Sequence, residues 1–277
     1  MQIQNPNTLS RLPDHVSFDA AALLEPLSVA IHSLNRAAPA PGSTAVVIGA
    51  GTVGLLVAAM ARQSGCTFVT IVDVDEGRVS YALAKGFATH GYVASRPIHS
   101  SSSSGTSTPA SLPSDGIMTP LSAYSSVSDR LYGAKTVAAE VLAVARPDLG
   151  ELDEDEDEGV DITFECTGKE ACMQTALYAT KPGGKVIMVG MGTPIQTVPL
   201  SAAHLREVDI LGIFRYANTY PTGIRLLGGK GGMRLPSLDD MVTHRFKGLG
   251  AAKQAFELAG RTVDDEGKLV LKVVIEA

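Results

Sequence analysis

The 277-residue chain has no tryptophan, and aromatic residues make up only 5% of it. Ala, Val, Leu and Gly are left to fill the interior, as in parallel sheets packed under helices. Cysteine is scarce: Cys66, Cys166 and Cys172 are the only three, and no two form a C-x-x-C pair. An odd count gives no complete disulfide framework, so a reducing, cytoplasmic setting is expected. No apolar run reaches the roughly 18 residues of a membrane span, so a membrane is not an expected partner. The first residues, Met1 to Pro6, carry neither a basic region nor an apolar one, and they do not read as a signal peptide. Nor is there a basic face: at a formal net charge of −6 the chain is a poor partner for nucleic acid. That charge is local. Glu151 to Glu158 holds seven acids in eight residues, and without them the chain sums to +1.

What is present is an apolar chain, 45% hydrophobic, long enough for one large domain or two smaller ones. It is organised around the stretch Thr44 to Gly54. Ala45 to Ile48 reads as a buried parallel strand. Gly49, Gly51 and Gly54 then fall in the G-x-G-x-x-G spacing, and a helical run, Leu55 to Ser64, follows. The first glycine allows a sharp turn off the strand, the second a close approach of backbone N–H groups to a pyrophosphate. The third lets the helix pack on the strand with its positive N-terminal end toward the phosphates. A second strand, Phe68 to Val72, ends in Asp73, about 20 residues past the glycines, where a ribose-binding carboxylate belongs. Together these favour a dinucleotide site over a glycine turn in an unrelated α/β domain or a methyltransferase loop.

Along the chain, residues 1–18 read as extended, and Asp19 to Leu34 as a helix with Asp19 at its N-cap. Glu25 sits in it among apolar neighbours, either a carboxylate with a partner or one that simply reaches solvent. Glu76 to Lys85 reads as a helix ended by Gly86, and Tyr92 to Ala94 as a weak strand. Residues 95–128, rich in Ser, Thr, Pro and Gly, read as a disordered insertion. A helix is expected from Asp129 to Arg146, then an acidic insertion at 150–159. Next come a strand from Val160 with its exit loop to Gly168, a helix Lys169 to Thr180, a turn Lys181 to Gly184, and strands Lys185 to Val189 and Asp209 to Ile213. Met241 to Phe246, Ala251 to Ala259 and Leu269 to Glu276 read as strand, helix and strand. The alternation predicts an α/β fold with a doubly wound parallel sheet. Ligands of such sheets sit outside the strand carboxyl ends, here Gly49 to Gly54, Asp73, Cys166 to Gly168, Gly190 to Gly192 and Phe214 to Tyr216.

Five stretches resemble the zinc-type medium-chain polyol dehydrogenases, the sorbitol, xylitol and L-arabinitol group. They are Leu24 to Val29 (LEPLSV), the glycine loop with Asp73 and Arg78, Glu165 to Gly168 (ECTG), Leu205 to Pro221 (LREVDILGIFRYANTYP) and Val242 to Phe246 (VTHRF). The resemblance implies NAD-dependent oxidation of a polyol to a ketose by hydride transfer. It implies that Gly49, Gly51, Thr52, Val53 and Gly54 hold the pyrophosphate, that Asp73 binds the ribose, and that Arg78 lies by the adenine. A carboxylate at Asp73 also argues for NAD over NADP, since it repels a 2′-phosphate. Cys166, Thr167, Val189, Gly190, Met191 and Phe214 complete the cofactor residues. Arg215 and Tyr216 would meet the polyol hydroxyls, and Glu25 would lie next to the catalytic zinc. The family forms dimers and tetramers, so a homo-oligomer is expected.

The chain departs from the family's pattern. These enzymes place a barrel-like, GroES-like catalytic domain first, and it supplies a Cys and a His-Glu pair that bind zinc. None of the six histidines here is followed by Glu. The closely spaced cysteines of the structural zinc site are also missing. Residues 1–30 and 231–277 are therefore expected to be remnants of a catalytic domain around a Rossmann domain at 31–230, with the principal zinc ligands absent. Two further readings stand beside the dehydrogenase: a non-catalytic NAD(H)-binding protein or partner subunit, and a zinc-free reductase, against which Glu25, Arg215 and Tyr216 speak.

Overall fold

Five consecutive buried residues, Thr44–Ile48, form β1, and nothing polar separates them, because both faces of this strand are covered. The computed structural model describes residues 11–95, 126–146, 159–229 and 235–276. In it β1 lies between β2 (Phe68–Asp73) and β4 (Val160–Glu165), parallel to both. β3 (His90–Val93) extends the sheet beyond β2, while β5 (Thr180–Met188) and β6 (Asp209–Gly212) extend it beyond β4. The order β3-β2-β1-β4-β5-β6, all parallel, is the doubly wound arrangement expected from the alternation.

Alternate residues of β1 face opposite layers. Ala45 and Val47 join a core built with α2 (Leu24–Ala37), α3 (Thr52–Gln63) and α4 (Glu76–Ala84). Val46 and Ile48 join a second core with α5 (Val127–Ala145) and α6 (Glu170–Ala179). Each fully buried Leu or Ile contributes about 1.5–3 kcal/mol, so the two layers carry most of the stability. The chain runs β1-α3-β2-α4-β3 to one edge, then returns through α5 to the middle of the sheet at β4. The turns after β1 and β4 therefore open side by side. The short α7 (Leu200–His204) precedes β6, and α8 (Tyr220–Gly228) follows it. A separate two-stranded parallel sheet, β7 (Val242–Lys247) and β8 (Lys272–Glu276), flanks α9 (Ala252–Ala259). Arg245 of β7 binds both Asp19 and Glu276. Among the described residues no helix is long and apolar enough to cross a membrane.

Several local expectations change. The helix expected at Asp19 is two, α1 (Phe18–Ala22) and α2, and its cap is Ser17, whose hydroxyl accepts from the Ala20 N–H. α3 begins at Thr52, inside the glycine motif. Lys181 to Gly184 is not a separate turn but part of β5, where the register with β4 shifts. α5 starts two residues before Asp129. Ser126 caps it, in a reciprocal box with Asp129. The rest of the Ser-rich insertion, 96–125, and the acidic run, 150–158, lie outside the described residues.

Candidate functional site

The crevice between the ends of β1 and β4 is built by glycine. Gly49 has φ +105, a conformation that disfavours any side chain, and a Cβ there would come within 2.8 Å of Thr167 Cγ2. A Cβ on Gly54 would lie 1.8 Å from the Gly49 carbonyl oxygen, so only glycine lets α3 approach the strand. A Cβ on Gly51 would meet nothing nearer than Arg78 Nη1 at 3.9 Å, so this glycine leaves open space at the helix N-terminus. The first N–H groups of α3 have no acceptor within the helix and face that space.

Asp73 closes one side. Its Oδ2 accepts from the Ala50 N–H at 2.7 Å and its Oδ1 from the Asp75 N–H at 3.0 Å. The carboxylate thus braces the glycine turn from the end of β2. Glu165 closes the other side. It is 2% exposed, and it accepts from the Thr167 N–H at 2.7 Å and the Gly168 N–H at 3.0 Å. This buried carboxylate shapes the Cys166 to Gly168 loop, a role that sequence reasoning missed. A carboxylate ending an apolar strand was the available signal. Gly190 packs on that loop too closely for any side chain, its ideal Cβ falling 2.1 Å from Gly168 N. The Cys166 thiol is pushed up by burial first and by the Glu165 charge second.

The structure brings Gly49, Gly51, Thr52, Val53, Gly54, Asp73, Arg78, Cys166, Thr167, Val189 and Gly190 to the same end of the sheet. Met191 and Phe214, at the ends of β5 and β6, project outward and are 82% and 75% exposed. The side chains of Thr52 and Arg78 are already engaged. Thr52 Oγ1 donates to Leu271 O at 2.8 Å, and Arg78 Nη2 donates to Val270 O at 3.3 Å. Arg78 Nε is buried with no partner. The segment just before β8 therefore lies across the glycine turn.

The polyol candidates form a second group. Glu25 is exposed, on the first turn of α2, the solvent-reaching one of the two alternatives its sequence setting left open. Leu24, Leu27 and Ile31 point into the core, and Glu25 points away from it. Arg215, with φ +54, is exposed and lies over the Phe214 ring at 5.7 Å. The Tyr216 hydroxyl donates to the Tyr220 hydroxyl at 3.3 Å, with the rings 5.3 Å apart. Burial, then the bond with Tyr216, then its charge and that of Glu25 push the Tyr220 phenol up. Tyr220 thus pairs with Tyr216, a neighbour the sequence did not single out. Among the described residues no three His, Cys, Asp or Glu side chains are grouped to hold a metal ion.

Residues 123–228 match the zinc-binding dehydrogenase family. The chain is 35% identical to the sorbitol dehydrogenase of Gallus gallus over 263 residues, covering 95% of this chain and 59% of that protein. It is 34% identical to the sorbitol dehydrogenase of Homo sapiens over 247 residues, 89% of this chain and 55% of the human protein. Among solved structures, an oxidoreductase/dehydrogenase of unknown specificity from Escherichia coli superposes with a TM-score of 0.66 at 26% identity. That match covers 96% of this chain and 59% of the E. coli protein. The chain thus spans less than two thirds of the length of the relatives it matches.

Proposed function

For this chain, a member of the zinc-binding dehydrogenase family related to the sorbitol dehydrogenases, we propose NAD binding at the β1–β4 crevice in the service of polyol oxidation to a ketose. The observation that carries the reading is Asp73, a carboxylate at the end of β2 that braces the glycine turn at the N-terminus of α3. The open space at Gly51 and the unpartnered Arg78 Nε fit a bound dinucleotide. In this reading the N–H groups of Gly51, Thr52 and Val53 hold the pyrophosphate, and the remaining lone pairs of Asp73 take the ribose hydroxyls. The Asp73 charge repels a 2′-phosphate and favours NAD over NADP. Arg78 keeps a cation beside the adenosine. Val189, Gly190 and Met191 run along the nicotinamide, which accepts the hydride when the cofactor is bound. Arg215, Tyr216 and Glu25 offer the polyol its hydrogen-bond partners. Further copies of the chain are the other expected partner.

The described residues do not supply a zinc donor set, and Glu25 alone cannot hold the metal. The same observation favours a second reading, a family member that binds NAD(H) without turning over a polyol. Titration of the purified chain with NADH, followed by nicotinamide fluorescence, tests both. Saturable binding supports the shared cofactor reading, and its absence removes it. Turnover of sorbitol, xylitol or L-arabinitol with NAD then separates enzyme from binder.

A further inference from the structure

The strap across the glycine turn is anchored at its far end by a histidine. The Leu271 N–H donates to Thr243 Oγ1 at 3.1 Å, and that hydroxyl donates to Lys272 O at 3.3 Å. His244 lies against the same hydroxyl, Nδ1 to Oγ1 2.9 Å, and its Nε2 is 3.0 Å from Asp264 Oδ2. The pair is well shielded, the two side chains being 13% and 17% exposed. Asp264 is held below the usual carboxylate range, first by the bond from His244 and then by the Lys268 N–H, so it stays an acceptor.

The hydrogens at Thr243 can be counted. Its hydroxyl has one proton and two lone pairs. With His244 as imidazolium, Nδ1–H and Leu271 N–H fill both lone pairs, the hydroxyl proton goes to Lys272 O, and Nε2–H goes to Asp264. Every contact is then satisfied. With neutral His244 protonated on Nε2, the hydroxyl proton must choose between Nδ1 and Lys272 O. With the other tautomer, a nitrogen lone pair faces the Asp264 carboxylate. Only the charged form holds the whole set.

We propose that His244, acting through Thr243, is a positioning residue for the dinucleotide site: its imidazolium form fixes Val270 and Leu271 against Arg78 and Thr52, and this tightens dinucleotide binding. The proposal rests on the cofactor reading above. The strap takes only the side-chain donors of Thr52 and Arg78. The backbone N–H groups that would hold the phosphates stay free, so a fixed strap preorganises the site rather than filling it. The other charged groups lining the pocket at His244 come from α9 and the loop after it. They are Glu257, Arg261 (paired with Asp265 at 2.7 Å), Glu266, and Lys268, whose Nζ donates to Thr243 O at 3.1 Å. None of these reaches Thr243 Oγ1 in place of His244.

The test is the Kd for NADH of the full chain from about pH 6 to about pH 8.5. Affinity should fall by about three- to tenfold with rising pH, the scale of one hydrogen bond. His244→Gln should bind with the weaker affinity at both ends. Thr243→Val, which keeps the His244–Asp264 pair, should lose the dependence as well. A wild-type pH dependence surviving in Thr243→Val would mean that the histidine charge acts at a distance, and would overturn the proposal. So would a flat wild-type profile with measurable binding. If the wild type binds no NADH at any pH, the cofactor reading fails instead. The clasp is then read from hydrogen exchange of the Leu271 amide at about pH 6, which should be slower in the wild type than in His244→Gln. Equal rates would overturn it.

Discussion

Asp73 uses one lone pair on each oxygen for the turn it braces, Oδ2 for Ala50 N–H and Oδ1 for Asp75 N–H. Replacing it with Ala removes the brace, the charge and the proposed ribose acceptor together. Asp73→Ala should therefore weaken NADH binding by about 1.5–3 kcal/mol, the range for a charged hydrogen bond, or roughly 10- to 150-fold in Kd. Asp73→Asn, which keeps an acceptor, should lose less. An unchanged Kd by fluorescence titration of Asp73→Ala would undo the assignment. The positions of Asp73 and the glycines were legible because they follow from spacing along one strand, turn and helix. The strap was not, because Thr52 and Leu271 lie 219 residues apart and nothing local marks either as the other's partner. Glu25 settles on the solvent-reaching alternative for a different reason. Sequence neighbours are not face neighbours on a helix, so Leu24 and Leu27 are buried while Glu25 between them reaches solvent.

Strands β1, β2 and β4 were legible because doubly covered strands read as continuous apolar runs. Helix starts were harder. At Thr52 the motif's glycine and β-branched residues are poor helix formers, yet α3 begins there because tertiary packing overrides propensity. At α5 the low-complexity composition hid the cap: Ser126 and Asp129 form a reciprocal box at the edge of the Ser-rich stretch. Because α5 is the crossover that returns the chain to β4, its first turn bears on the whole sheet. Ser126→Ala should cost about 1 kcal/mol. For a chain of this size that is a fall of about 2–4 °C in Tm. Ser126→Thr, which keeps the acceptor, should lose much less. A thermal melt in which Ser126→Ala matches the wild type would show that the cap contributes nothing. α7 and α8 have no side-chain cap, and only the proline in the first turn of α8 marks a start.

The doubly wound sheet of the whole molecule was legible from strand–helix alternation, whereas the placement of β7 and β8 was not. That small sheet and the segment before β8 touch the rest of the molecule through particular bonds, Arg245 to Asp19, Thr52 to Leu271 and Arg78 to Val270, rather than through a repeating pattern. In the proposed reading cofactor binding and metal binding are separable. Each group proposed to bear on the dinucleotide, from Gly49 to Arg78 and the strap, lies within the described residues, whereas among those residues no cluster of three metal donors occurs. A structural or catalytic zinc needs at least three protein ligands in one place. The 277-residue chain should therefore hold well below one zinc per chain after dialysis, as read by elemental analysis, and a chelator should leave its Kd for NADH unchanged. Stoichiometric zinc that survives dialysis would require donors brought together in a way the described residues do not show. Zinc whose removal also abolished NADH binding would further tie the metal to the β1–β4 crevice, and the separation of the two sites would fail.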